Sequence, residues 1–180
     1  MNILTTFLLL LSISFNAIET ETNQDIIKIE NPDTNNGFII TDKDYTLHFE
    51  IEKTNDQKYN LVLTVELHNE AYYISPSAKG DFSGKFNLDL GSYTDLGFEG
   101  KILETPVYVT EYNQLLYSDD NVQWVRVNTM YKQLLQIKSK EDFEVFGRVQ
   151  FTIEPRCTFE EIPFAISYKN GVVKVTYPKC

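Results

Sequence analysis

An all-β, immunoglobulin-like antiparallel β-sandwich is the fold that this sequence predicts, and three observations predict it. Several short runs alternate apolar with polar residues, aromatic residues are plentiful at 12 Phe and 11 Tyr, and turn-forming residues recur about every ten positions. No window carries apolar residues at the 3.6-residue spacing of an amphipathic helix. Uneven run lengths and the long, Gly-rich, irregular stretch from Gly80 to Pro106 favour a sandwich over a barrel.

In chain order, the first element is an apolar run from Ile3 to Ile13, broken only by Thr5, Thr6 and Ser12 and followed by the acidic stretch Glu19 to Asp25. This is the layout of a signal peptide, too short for a membrane span of about 20 apolar residues. Ala17 offers a small residue at a cleavage position, and a cut after Ser14 is the alternative. Residues 1–17 are therefore expected to be a signal peptide, 18–25 a disordered lead-in, and 26–180 a single domain of roughly 160 residues. No second run is long enough to span a bilayer, so a soluble periplasmic or secreted protein is expected.

Within that domain Tyr45, Leu47, Phe49 and Ile51 alternate with Thr46, His48, Glu50 and Glu52, the period of a half-buried strand. Leu61, Leu63, Val65 and Leu67 repeat the device, and the polar Thr54 to Lys58 between the two runs predicts a hairpin. Further strands are expected at Ile26 to Glu30, Lys85 to Leu90, Val107 to Thr110, Val122 to Asn128, Tyr131 to Lys138, Phe143 to Ile153, Phe164 to Tyr168 and Val172 to Tyr177.

The two cysteines are Cys157 and Cys180, and two thiols of a small exported domain normally pair. Asn170-Gly171 reads as a two-residue type I′ turn, since both positions tolerate positive φ. Counting outward from that turn sets Pro163 against Pro178 and brings Cys157 and Cys180 past the open end of the hairpin. A Cys157 to Cys180 disulfide stapling the C-terminus is the expectation.

A formal net charge of -10, with Lys and Arg spread singly, argues against nucleic acid and against anionic membrane surfaces, both of which need clustered cations. Nucleophilic catalysis needs a base beside Ser, Cys or Thr; the only histidines, His48 and His68, fall on the polar parity of their strands. Gly80-Asp81-Phe82-Ser83-Gly84 lacks the spacing and context of a nucleophile elbow. The two histidines and two cysteines have no zinc-ligand spacing, and Asp119, Asp120 and Asn121 lack the pattern of a calcium loop. No phosphate-cradling or dinucleotide-binding glycine motif occurs, so no cofactor is expected. Carboxylates are numerous, but a glycosidase pair needs a cleft that a small sandwich seldom provides. Tyr72, Tyr73, Tyr93, Tyr108, Tyr112, Tyr117 and Trp124 are either core and edge packing or a surface for ligand stacking.

The run Val145-Phe146-Gly147-Arg148-Val149-Gln150-Phe151-Thr152-Ile153-Glu154-Pro155-Arg156-Cys157, followed by Pro163-Phe164-Ala165-Ile166, resembles the N-terminal periplasmic domain of DsbD-type thiol:disulfide interchange proteins. In that family a strand of form V-x-G-x-V-x-F leads into C-x5-C, then prolines and an apolar strand. Glu70-Ala71-Tyr72-Tyr73-Ile74-Ser75-Pro76 is similar to the segment after the family's second strand. The resemblance implies an immunoglobulin-like fold over roughly Asp25 to Tyr177 and a redox position at Cys157. The chain departs from the family where its second active cysteine would stand, six residues on, at Pro163.

Three functions follow as expectations. The first is a non-catalytic binding or interaction module with a structural Cys157 to Cys180 bridge and, given the acidic surface, a protein partner in the cell envelope or a neutral glycan. The second is thiol:disulfide exchange, with Cys157 attacking and Cys180 resolving. The third is a carbohydrate-binding sandwich that uses Trp124 and neighbouring tyrosines on one exposed face.

Overall fold

A computed structural model describes residues 28–30, 37–54, 58–106 and 122–178. Twelve strands account for its regular structure: β1 Lys28–Glu30, β2 Gly37–Thr41, β3 Tyr45–Lys53, β4 Lys58–Leu67, β5 Tyr73–Ile74, β6 Asn87–Asp89, β7 Leu96–Thr105, β8 Trp124–Val125, β9 Thr129–Ile137, β10 Phe143–Ile153, β11 Thr158–Lys169 and β12 Val172–Thr176. They form a six-stranded sheet in the order β1-β2-β3-β4-β9-β7 and a four-stranded sheet in the order β12-β11-β10-β6, with β5 and β8 paired as a separate ribbon. All named strand pairs are antiparallel. The chain is thus an all-β sandwich.

The alternation that predicted β3 and β4 is the alternation that the core uses. Tyr45, Leu47, Phe49 and Ile51 are buried together with Leu61, Leu63 and Val65, and the two strands pair as a hairpin from Tyr45↔Leu67 to Lys53↔Tyr59. Opposite them Val145, Val149, Phe151, Phe164, Ile166, Val173 and Val175 close the core from the second sheet. Ring contacts cross between the sheets, with Tyr45 on Phe151 at 5.2 Å and Phe49 on Phe164 at 5.8 Å between centroids. Burying rings in this way supplies most of the apolar area that stabilises a sandwich.

The Asn170-Gly171 turn forms as its residues dictate, with φ of 51° and 81°. The flanking register runs from Lys169↔Val172 to Ala165↔Thr176, which is the predicted hairpin. The strand expected from Phe164 begins earlier, at Thr158, because β10 pairs with it along its whole length, from Phe143↔Tyr168 to Ile153↔Thr158.

The strand expected at Lys85 to Leu90 is present as the shorter β6, but the rest of Gly80 to Pro106 is less irregular than its glycines suggested, since the ten-residue β7 also lies within it. β7 escapes a period-two reading because it is bulged: Glu99 faces Leu134 and Leu103 faces Lys132, so Gly100, Lys101 and Ile102 are set against Gln133 alone. Gly100 adopts φ +72° there, the conformation a bulge asks of glycine. β2, also unforeseen, is a short strand whose Phe38 stacks on Phe49 at 4.3 Å. The strand expected at Val107 to Thr110 lies outside the described residues, and β1 and β8 cover parts of their expected spans. Among the described residues no helix is long and apolar enough to cross a membrane.

Candidate functional site

A cleft of about 500 Å³ opens where the two sheets part, beside their edge strands β6 and β7. Its floor is Gln133. The inward parity of β9 runs Thr129, Tyr131, Gln133, Leu135, and Gln133 is only 4% exposed although polar. Its Nε2 donates to the carbonyl of Glu99 at 3.0 Å and to that of Leu134 at 3.4 Å, which ties down the β7 bulge and fixes which way the amide points. The Oε1 takes no hydrogen bond from the described residues. That oxygen is not among the fully buried polar atoms left without a partner, so it opens to the cleft, and a ligand that displaced water from it without supplying a donor would incur a desolvation cost of about 1–3 kcal/mol.

The cleft curls around β6. On β10, Val149 and Phe151 face the core, so Gln150 stands on the opposite face, as do Asn87 and Glu161, its partners on either side. Phe159, paired with Thr152, shares that outer face and is 57% exposed. The inner wall is therefore Gln133, Ile102 and Leu88, and the outer wall is Asn87, Gln150 and Phe159. Asn87 Nδ2 reaches Gln150 Oε1 at 3.4 Å, and Gln150 Nε2 donates to Glu161 Oε2 at 2.6 Å. Among the described lining residues Lys85 is the one that carries a charge, and its Nζ donates to the carbonyls of Ala78 at 3.1 Å and Gly80 at 3.3 Å. This wall of amides and rings suits orientation and burial of a ligand, and its described residues include no histidine, cysteine or carboxylate.

Behind the cleft lies a polar network that sequence reasoning did not find. Glu104 is 9% exposed and accepts hydrogen bonds from Ser75 Oγ at 2.7 Å, Ser77 Oγ at 3.0 Å and Tyr131 Oη at 3.0 Å, while the hydroxyls of Tyr73 and Tyr131 are 2.9 Å apart. Burial first, then the Tyr73 hydroxyl and the Glu104 carboxylate, push the Tyr131 phenol far above the usual range. Ser75 is fully buried, so the arrangement joins β5, β7 and β9 rather than presenting a nucleophile.

The positions singled out from the sequence are scattered. Cys157 is exposed, at φ +54°, in the turn between β10 and β11. Cys180, and with it the expected disulfide, lies outside the described residues. Next to Cys157, Arg156 joins the two sheets: its guanidinium meets Asp42 at 2.9 Å, Asp44 at 3.1 Å and Glu160 at 2.5 Å. Glu160 also accepts from the Tyr45 hydroxyl at 2.9 Å. His68 Nε2 is 2.9 Å from Thr46 Oγ1, and His48 Nε2 is 3.6 Å from Glu66 on the outer side of the six-stranded sheet. The aromatic set divides. Tyr73 belongs to the core, Tyr93 is an exposed residue that accepts from the Phe146 N–H, and Trp124 is half-buried, edge-on to Tyr72 at 5.1 Å with Arg126 stacked on that tyrosine. Tyr108, Tyr112 and Tyr117, like Asp119, Asp120 and Asn121, fall outside the described residues. Among the described residues no group of three or more His, Cys, Asp or Glu is placed to hold a metal ion.

Comparison of the chain with protein-family models, with curated proteins and with solved structures finds no match.

Proposed function

We propose that this protein is an exported, non-catalytic binding module, a stand-alone immunoglobulin-like sandwich related to the N-terminal domain of DsbD-type proteins, working in the periplasm or outside the cell with a protein partner. The observation that carries the reading is the cleft beside β6: about 500 Å³, within the range of ligand sites, lined by amides and rings and floored by Gln133, whose side-chain oxygen takes no hydrogen bond from the described residues. The signal-like run Ile3 to Ile13 supports export, and in that setting Cys157 and Cys180 form the bridge that closes the C-terminal hairpin. The test is to map organic fragments onto the mature protein by backbone amide shifts. Residues Lys85 to Leu88 and Gln150 should move first; a panel that leaves them still while shifting other surfaces would overturn the reading.

One observation favours a second reading, thiol:disulfide exchange: Cys157 is exposed in a turn, where a partner thiolate can reach it. Equilibrating the Cys157 to Cys180 pair with graded dithiothreitol separates the two. A potential below about -300 mV marks a structural staple, and one near about -200 mV with rapid exchange marks a redox pair.

A further inference from the structure

We infer that the cleft takes an extended peptide segment of the partner, which pairs with the free edge of β6 at Leu88 and delivers a hydroxyl- or amide-bearing side chain to Gln133. The inference rests on the binding reading above and names the chemistry of what is bound.

Among the described residues β6 ends the four-stranded sheet, paired with β10 on one side only. Just before it, β5 covers the other side, where the Phe86 N–H donates to the Ile74 carbonyl at 2.9 Å and Ile74 bridges Lys85. β5 then turns away at Ser75 and Pro76. Backbone groups of alternate residues point the same way along a strand. The Leu88 N–H and C=O therefore face the side that Phe86 faces, away from β10, at the point where β5 has left. A donor and an acceptor on one residue of an open edge match one residue of an added strand.

The walls complete the match. Side chains of an added strand alternate between the faces of the sheet. One set would enter the inner wall of Ile102, Leu88 and Gln133, and the next would lie on the outer wall of Asn87, Gln150 and Phe159. On the inner side the match is specific, because Gln133 Oε1 is left open to the cleft by an amide whose Nε2 already donates to the Glu99 and Leu134 carbonyls. Ser, Thr, Asn or Gln on the peptide supplies a donor in place of water; an aliphatic residue displaces the water and supplies none. A rigid sugar ring reaches one wall or the other, whereas an extended chain reaches both while pairing with the edge between them.

The experiment uses the mature protein and a library of acetylated, amidated pentapeptides randomised at the flanking positions and carrying Ser, Asn or Leu at the centre. Binding is read from backbone amide shifts. Glucose and N-acetylglucosamine serve as comparison probes. The expected result is movement centred on Asn87 to Asp89, with Ser and Asn peptides binding at least tenfold more tightly than Leu peptides. Leu88→Pro removes an N–H that β10 does not use, a change that edge strands tolerate, and should weaken binding tenfold or more. Gln133→Leu should abolish the preference for Ser and Asn, and the exposed Phe159→Ala tests the outer wall without touching the core. Equal binding by the Leu88→Pro protein, or no preference at the central residue, overturns the inference. Cleft shifts caused by the sugars and not by the peptides overturn it while leaving the binding reading standing. A cleft that no peptide, sugar or fragment perturbs removes both.

Discussion

Gly147 has a packing reason that accounts for the glycine in the Val145 to Phe151 run. A Cβ built there would lie 2.3 Å from Cζ of Phe164 and 2.8 Å from the Asp89 carbonyl, so the ring of a core phenylalanine rests directly on the backbone of β10. Gly147→Ala should destabilise by about 1–3 kcal/mol, the cost of overpacking, seen as a lower urea midpoint with an unchanged slope. Arg156 is the other residue on which much depends, since it neutralises parts of three carboxylates that are themselves 3%, 10% and 11% exposed. Arg156→Met leaves those charges facing one another and should cost about 3–5 kcal/mol in the same assay. In the sequence Arg156 was only a member of the motif before Cys157, because two of its three partners, Asp42 and Asp44, are supplied by the β2 to β3 turn, more than a hundred positions away.

At the scale of elements, the hairpin of β11 and β12 is the most local piece of the fold. Asn170 and Gly171 both sit at positive φ, and nothing crowds the position where a Gly171 Cβ would go, so the strain of an added side chain is confined to the backbone. Gly171→Ala should therefore cost about 1 kcal/mol, and the Asn87 to Asp89 amides should keep their shifts. β7 is the contrary case. Its Glu99 and Leu103 flank a bulge that another strand's Gln133 holds open, so its conformation is set by a residue in β9. A signal for the site did exist in β9: a glutamine on the parity otherwise occupied by Thr129, Tyr131 and Leu135 marks a polar group in an apolar row.

For the whole molecule, two buried hydroxyl networks predict how stability responds to alkali. Burial first, and then Glu160, hold the Tyr45 phenol well above its ordinary value near 10, and burial with Tyr73 and Glu104 does the same for Tyr131. In the unfolded chain both ionise near pH 10. Their contribution is therefore complete below about pH 10 and is lost as pH rises above it, because the unfolded state sheds protons that the folded state keeps. Each tyrosine should lower stability by about 1.4 kcal/mol per pH unit there. Urea unfolding at successive pH values should show a slope near two protons, falling to one in Tyr131→Phe. A pH-independent midpoint between about pH 10 and 11 would show that both phenols ionise in the folded protein.

Strand periodicity, the β3 to β4 hairpin, the Asn170-Gly171 turn and the all-β class were determined by the sequence alone, because each depends on residues adjacent in the chain and on a period of two that any buried sheet face imposes. Only the tertiary structure decided the rest. It set β7 against β9 through a bulge, brought Arg156 to Asp42 and Asp44, and gathered Leu88, Gln133, Gln150 and Phe159 around one open edge. Those residues come from four strands of two sheets, and their meeting is a consequence of which edges the sandwich leaves unpaired, a property that no local pattern encodes.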